Sequence, residues 1–350
     1  MRKIAVSVCT YRRNHGLAAL HAMARRLHVM THKPISNRLL EARAVIEAAR
    51  RAGVATHFLA WNTGNGIGAV KQWIDSGAIG TLREIHNWTN RPVWPQYVDL
   101  PQDEPPVPRG FDWDLWLGPE KERPYHPCYT HMVFRGWYDF GGGTLADMGI
   151  YSLWGVFRAL KLGAPDLVEP LRSHHCRFDG TAAARIANDF SFPSASITRI
   201  RFPRTPDRGA VDLFWYDGGM KPFPPDETGL EELPAEGMMF RGDRGVILSG
   251  FRVEKPVLYA AGRTPEEAPQ PQQRPNVADL FVSACRGGEP SPGSFTNAWE
   301  ISETVCLWGA ALRAGRRLKY DAAARRFLND ERANEYLART YRKGWEPPQA

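Results

Sequence analysis

A chain of 350 residues with 43% hydrophobic and 24% charged residues has room for one large domain or two ordinary ones, with a real core. The net charge of +7 and pI near 9.2 arise from Lys and Arg spread from Arg2 to Lys343 among acids; the basic runs, such as Arg25-Arg26 and Arg316-Arg317, are short, which argues against a nucleic-acid partner. No apolar run approaches the roughly 18 residues of a membrane span, and the apolar stretch after Met1 is too short for a signal peptide, so the chain reads as cytoplasmic; any export signal would belong to a longer parent.

Cys9, Cys128, Cys176, Cys285 and Cys306 are odd in number, far apart and without C-x-x-C spacing, which fits a reduced compartment better than a disulfide framework or a structural zinc. Twelve tryptophans suit core and pocket lining.

Ile4 to Val8 predicts a buried parallel strand, residues 14 to 26 a helix with Leu17, Leu20 and Met23 on one face, and Leu27 to Thr31 a second strand stopped by Pro34. Ser36 or Asn37 can cap a helix carrying Leu39, Ala42, Ile46, Ala49 and Ala52, ended by Gly53, and Val54 to Ala60 is a third strand. That alternation predicts a parallel sheet with right-handed crossovers. A short helix over Ile67 to Asp75 and a strand over Leu82 to Thr89 precede a proline-rich passage to Gly110, whose tryptophans favour function over disorder.

From Ala195 the pattern is antiparallel, with strands over Ser196 to Phe202 and Ala210 to Tyr216 and a hairpin over Met238 to Leu248 turning at Asp243-Arg244. A solvated loop spans 264 to 275. Helices then start at Asn276 and at Ser294, the latter placing Ile301, Val305, Trp308 and Leu312 on one face, and a last helix covers Asn329 to Thr340. The predicted class is α/β: a partial, N-terminally truncated Rossmann parallel sheet over 1–62, an α+β domain with an open-faced, largely antiparallel sheet over 63–330, and a helix and tail over 331–350.

Two landmarks carry chemistry. Lys33 follows a strand in the turn His32-Lys33-Pro34, and Gly141-Gly-Gly-Thr144 leads into a helix on which Asp147 and Tyr151, four residues apart, share a face. A tyrosine is a poor acid or base near neutrality unless a cation stabilises its phenolate, and Lys33 is the candidate cation. The bland readings are a helix cap for Asp147, a half-buried packing residue for Tyr151 and a surface pair for His174-His175.

With these landmarks in order, the chain resembles the glucose-fructose oxidoreductase, inositol dehydrogenase and rhizopine-catabolism family (Gfo/Idh/MocA) from about Ile4 to Trp345. Matching stretches include His28 to Pro34, Glu41-Ala-Arg-Ala44, Ile74 to His86, Asp112 to Pro119, Gly141 to Tyr151 and Tyr341-Arg-Lys-Gly-Trp345. The resemblance implies an oxidoreductase acting on a sugar- or cyclitol-like alcohol or ketone by hydride transfer with NAD or NADP. Lys33 would orient the substrate hydroxyl, Tyr151 act as general acid/base and Asp147 position the pair. Arg91, Trp94, His126, Arg135 and Trp137 would line the substrate pocket, Thr10, His15, His32 and Lys33 would face the cofactor, and the open sheet would mediate a homo-oligomer. Two departures stand out: His32 replaces the glutamate that many members place before Lys-Pro, and Tyr151 replaces a common histidine, as it does in the glucose-fructose oxidoreductase and dihydrodiol dehydrogenase branches.

Only thirty-two residues precede Lys33, too few for a complete dinucleotide-binding half with its Gly-rich turn and an acidic residue about 20 positions further on. The Gly64-x-Gly66-x-Gly68 cluster follows the lysine and does not substitute for that turn. The expectation is therefore an N-terminally shortened form with impaired cofactor binding. The alternative is a cofactor-free pseudoenzyme or sugar-binding partner subunit of a full-length relative.

Overall fold

The computed structural model describes residues 5–61, 66–269 and 276–348. Its first unit is β1 (Ala5–Val8), α1 (Arg12–Ala24), β2 (His28–Thr31), α2 (Leu39–Ala52) and β3 (Thr56–Phe58), with the strands parallel in the order β1-β2-β3. The predicted strand start at Ile4 and Gly64 of the glycine cluster lie outside the described residues. Leu17, Leu20 and Met23 of α1 and Leu39, Ala42, Ile46 and Ala49 of α2 are buried, as their helical spacing requires.

Helix α2 ends at Gly53 in a left-handed conformation, as expected. Its start differs from expectation, because the N-cap is Arg38 and its side chain makes no cap. Ser36 works one step earlier: its Oγ accepts from the Arg38 backbone N–H at 3.0 Å and donates to Glu41 Oε1 at 2.6 Å. The third strand is shorter than 54–60, since Leu59 and Ala60 turn away after Phe58, whose N–H donates to the Gly293 carbonyl at 2.8 Å.

After α3 (Ile67–Asp75) and β4 (Leu82–Trp88), the chain runs without helix or strand through the prolines to α4 (Trp113–Leu117). Helix α5 (Ile150–Leu160) follows, then β5 (Leu167–Arg172), the small hairpin β6 (Cys176–Asp179) and β7 (Ala182–Arg185), β8 (Ser196–Phe202), β9 (Val211–Asp217), β10 (Gly237–Gly242), β11 (Gly245–Ser249), β12 (Val257–Ala260) and β13 (Glu266–Glu267). The chain closes with α6 (Val277–Cys285), α7 (Trp299–Ala314), β14 (Leu318–Asp321), β15 (Arg326–Phe327) and α8 (Glu331–Glu335).

Ten of these strands form one sheet in the order β13-β12-β11-β10-β4-β9-β8-β5-β14-β15, antiparallel at every pairing except the parallel β4/β9 pair. Period-two alternation gives the sheet two faces. Thr198, Ile200, Leu213 and Trp215 are buried on the side of α5 and α7, where Trp308 Nε1 donates to Thr198 Oγ1 at 3.1 Å. The opposite face carries His86 stacked on Phe214 at 4.9 Å and the ion pairs Arg199–Glu169 and Arg201–Asp212 at 3.2 and 3.3 Å.

Ile301, Val305, Trp308 and Leu312 of α7 are buried on one face, as predicted. The last helix is much shorter than 329–340. It stops at Glu335 because the next turn is used elsewhere: the Leu337 carbonyl accepts from the Leu40 N–H at 3.0 Å and Arg339 turns inward to Glu120 and Asn37. Among the described residues no helix is long and apolar enough to cross a membrane.

Candidate active site at the carboxyl ends of the parallel strands

Strands β1 and β2 end in register, Val8 opposite Thr31, so the turns that follow them open at the same edge of the sheet. Ligands of open parallel sheets bind there. His15, one turn into α1, is buried and spans both turns, with Nδ1 2.8 Å from the Pro34 carbonyl and Nε2 2.8 Å from that of Thr10. Burial pushes its imidazole down and the two carbonyl contacts push it up in part, while the ring bridges the two turns.

The glycine run supplies the facing wall. Gly143 has φ +69°, and a Cβ there would lie 2.6 Å from the Trp308 ring, while one at Gly141 would strike the Arg135 carbonyl. Asn37, from the loop after Lys33, donates to the carbonyls of Asp139 and Gly141 at 2.9 and 3.2 Å and so fixes the two walls to each other. The chain then makes a π turn over Leu145–Gly149 before α5. Such single wide turns concentrate at functional sites.

That π turn places Asp147 inside the helical run, so it does not serve as a cap. Its carboxylate is 7% exposed, and Oδ1 meets both Lys33 Nζ and Arg12 Nη2, with Arg135 Nε 3.9 Å away. Tyr151 lies one turn further on. Lys33 Nζ is 5.0 Å and the Arg252 guanidinium carbon 4.6 Å from the centre of its ring, while its hydroxyl is 3.1 Å from His32 Nε2. Lys33 therefore does approach Tyr151, but over the ring face; the hydroxyl is turned to His32.

Burial sets the electrostatics. It pushes the Lys33 ammonium well down, with repulsion from Arg12, Arg135 and Arg252 adding to it, and lowers Arg12 to about 9, with Arg135 reinforcing the effect. His32 is lowered to about 4 by burial and by Lys33, so its ring is neutral near pH 7. Burial raises Tyr151 despite Arg252 and Arg12, which keeps the phenol protonated.

A cleft of about 530 Å³ opens in front of these groups, lined by Thr10, Arg12, His32, Lys33, His131 and Arg135 among others. Of the residues singled out from sequence, Thr10, His15, His32, Lys33 and Arg135 thus share one cleft, with Asp147 behind Lys33 and Tyr151 beside it. Trp94 is buried next to Arg135, whose guanidinium carbon is 5.8 Å from its ring. Arg91 reaches Asn90 and Glu236, and His126 accepts from the Cys128 N–H and lies 3.4 Å from Asp103. Trp137 is enclosed in an aromatic cluster, stacked on Tyr97 at 4.2 Å and donating to the Cys128 carbonyl, and is not part of the cleft lining.

Arg12, Arg252 and His131 were not anticipated. Arg12 had a readable signal, standing at the first helical position after the β1 turn. Arg252, about a hundred residues from Tyr151 in the turn after β11, had none.

The nicotinamide end of a dinucleotide fits this setting, where Thr10, His32 and Lys33 would hold it beside Tyr151. Among the described residues, the turns after β1 and β2, residues 9–11 and 32–38, contain no glycine.

A three-stranded βαβαβ unit whose carboxyl-end cleft is closed by loops of an open-faced mixed sheet is the architecture of a two-domain α/β oxidoreductase. The chain belongs to the Gfo/Idh/MocA oxidoreductase family: residues 65–162 and 230–347 match its model described as "Oxidoreductase family, C-terminal alpha/beta domain", and residues 3–59 match "Oxidoreductase family, NAD-binding Rossmann fold". Similar solved structures include an aldose-aldose oxidoreductase from Caulobacter crescentus complexed with glycerol (17% identity, 90% of this chain and 79% of that one, TM-score 0.55). The WlbA dehydrogenase from Bordetella pertussis in complex with NADH and UDP-GlcNAcA is also similar (14% identity, 91% and 79%, TM-score 0.54), as is an NAD binding oxidoreductase from Klebsiella pneumoniae (15%, 90% and 80%, 0.55). At these identities the likeness is one of fold. No curated protein sequence matches the chain.

Proposed function

We propose that this protein interconverts an alcohol and a ketone on a sugar- or cyclitol-like substrate with NAD or NADP. The observation that carries the reading is the meeting of Lys33, Asp147 and Tyr151 at the carboxyl ends of the parallel strands. Nicotinamide supplies the hydride acceptor or donor when bound. Lys33 lines the cleft and orients the substrate oxygen, and Asp147 holds its ammonium in place. Tyr151, kept protonated by burial, gives a proton to the carbonyl oxygen in reduction. In oxidation Tyr151 passes its own proton to Nε2 of neutral His32, 3.1 Å away, as it takes the proton of the substrate hydroxyl. Arg135 and Trp94 suit substrate contacts, whereas Arg91, His126 and Trp137 are already committed to protein partners.

The glycine-free turns support weak binding of the cofactor by this chain, and the open sheet face, with its stacked aromatics and ion pairs, supports a homo-oligomer. Calorimetric titration with NAD(H) and NADP(H) tests the first point: dissociation constants in the micromolar range would refute weak binding. Tyr151→Phe tests the chemistry. Turnover of a sugar alcohol at saturating cofactor should fall by about 10²-fold or more, and unchanged turnover would remove Tyr151 from the mechanism.

A further inference from the structure

The charge around the reacting pair is unbalanced. Arg12 and Lys33 bond one oxygen of Asp147, Arg135 comes within 3.9 Å of the same oxygen, and Arg252 packs on the Tyr151 ring. One carboxylate thus faces three guanidiniums and the Lys33 amine. Among the described residues no aspartate or glutamate lines the cleft, and the nearest acid in the Arg252 turn, Glu254, is occupied with the Arg252 backbone N–H at 2.7 Å. Arg12, 4% exposed, lines the cleft with its Nη1 buried and without a partner. A buried guanidinium nitrogen left unpaired beside like charges is costly, and an incoming anion removes that cost.

We infer that the substrate is a sugar acid, its carboxylate held by Arg12 and Arg135 next to the carbon whose hydroxyl meets Lys33 and Tyr151. The inference rests on the assignment of Lys33 and Tyr151 as the reacting pair. A planar carboxylate matches the flat, forked donor set of a guanidinium, and both guanidiniums converge on the Asp147 oxygen that Lys33 also meets. A sugar phosphate shares the anionic chemistry, so the two are separated by experiment.

The test is calorimetric titration of the full chain, without cofactor and at fixed ionic strength, with D-gluconate, sorbitol and glucose 6-phosphate. Gluconate should bind about tenfold more tightly than sorbitol, the effect of one charge-assisted contact. Arg135→Gln should weaken gluconate binding more than sorbitol binding and so shrink the tenfold difference, and Arg135→Lys should restore part of it. Equal affinity for gluconate and sorbitol would overturn the inference, as would tighter binding of glucose 6-phosphate than of gluconate, or displacement of gluconate by ADP at similar concentration. Acid preference without turnover would leave the substrate class standing and remove the redox reading; turnover of neutral polyols with no acid preference would do the reverse.

Discussion

Asp147→Asn isolates the electrostatic centre of the site, because asparagine keeps the shape and removes the one charge that offsets Arg12 and Lys33. Both cations are nearly excluded from water, at 4% and 8% exposure. Removing one partner of a buried pair costs about 3–5 kcal/mol, since the surviving charge stays desolvated. Lys33 has an escape that Arg12 lacks: burial and its guanidinium neighbours already press its ammonium toward the neutral form, and losing the carboxylate presses further. The loss should therefore be near the lower end of that range and should shrink as pH rises. At about 2 °C per kcal/mol for a chain of this size, thermal unfolding at low salt and pH 6 should show a fall of roughly 6 °C, reduced at pH 9. Lys33→Met in the Asp147→Asn background should recover part of it, a coupling of about 1–3 kcal/mol. An unfolding temperature within 2 °C of wild type at pH 6 would refute the view that Asp147 is the counter-charge of the cluster.

Two further outcomes follow from groups outside the cleft. Glu303 of α7 is raised to about 7 by burial, although Tyr320 Oη donates to it at 2.9 Å. Its contribution to stability is complete below its ordinary value of 4.5 and lost as pH rises through about 7. Glu303→Gln should therefore stabilise the protein at pH 8, by at most about 3 kcal/mol, and change little at pH 5; urea unfolding with no gain at pH 8 would count against this. Tyr341 Oη donates to Glu41 Oε2 at 2.6 Å, so Tyr341→Phe should cost about 1.5–3 kcal/mol and speed tryptic cutting at Arg342 and Lys343. Unaltered denaturation midpoint and cleavage rate would show that the C-terminal segment is held by other contacts.

The sequence exposed those parts of the site that depend on local rules. Lys33 is marked by a strand, a proline and a helix start within ten residues, and Asp147 and Tyr151 by glycines and helical spacing. Period-two alternation likewise revealed β8 and β9, and the glycine-flanked turn at Asp243-Arg244 revealed the β10–β11 hairpin, whose strands are buried along most of their length. What stayed hidden had no local period. Strands β6 and β7 are four residues each and largely exposed, and β13 and β15 have two residues each, so their pairing is decided by neighbours far along the chain. Arg252 reaches Tyr151 only through the order of strands in the sheet. The shortened last helix has the same origin: its sequence favours helix to Thr340, and tertiary bonds from Leu337 and Arg339 override that preference.

Those tertiary bonds explain why stretches at opposite ends of the chain belong together. Arg339 donates to Glu120 at 2.8 Å and to Asn37 at 2.5 Å, Tyr341 bonds Glu41, and Arg342 donates to the Gly118 carbonyl and pairs with Asp114. Asn37 is four residues past Lys33, and its amide holds the Asp139 and Gly141 carbonyls, six residues or more before Asp147. A line of hydrogen bonds therefore runs from Arg339 through Asn37 to the glycine run and joins the lysine turn to the aspartate turn. Gly141 and Gly143 cannot retreat from Arg135 and Trp308 without losing that contact, so the spacing between Lys33 and Asp147 is set by residues that touch neither. The C-terminal segment is thus part of the device that brings the lysine and the carboxylate to bonding distance, three hundred residues from the strand that carries Lys33.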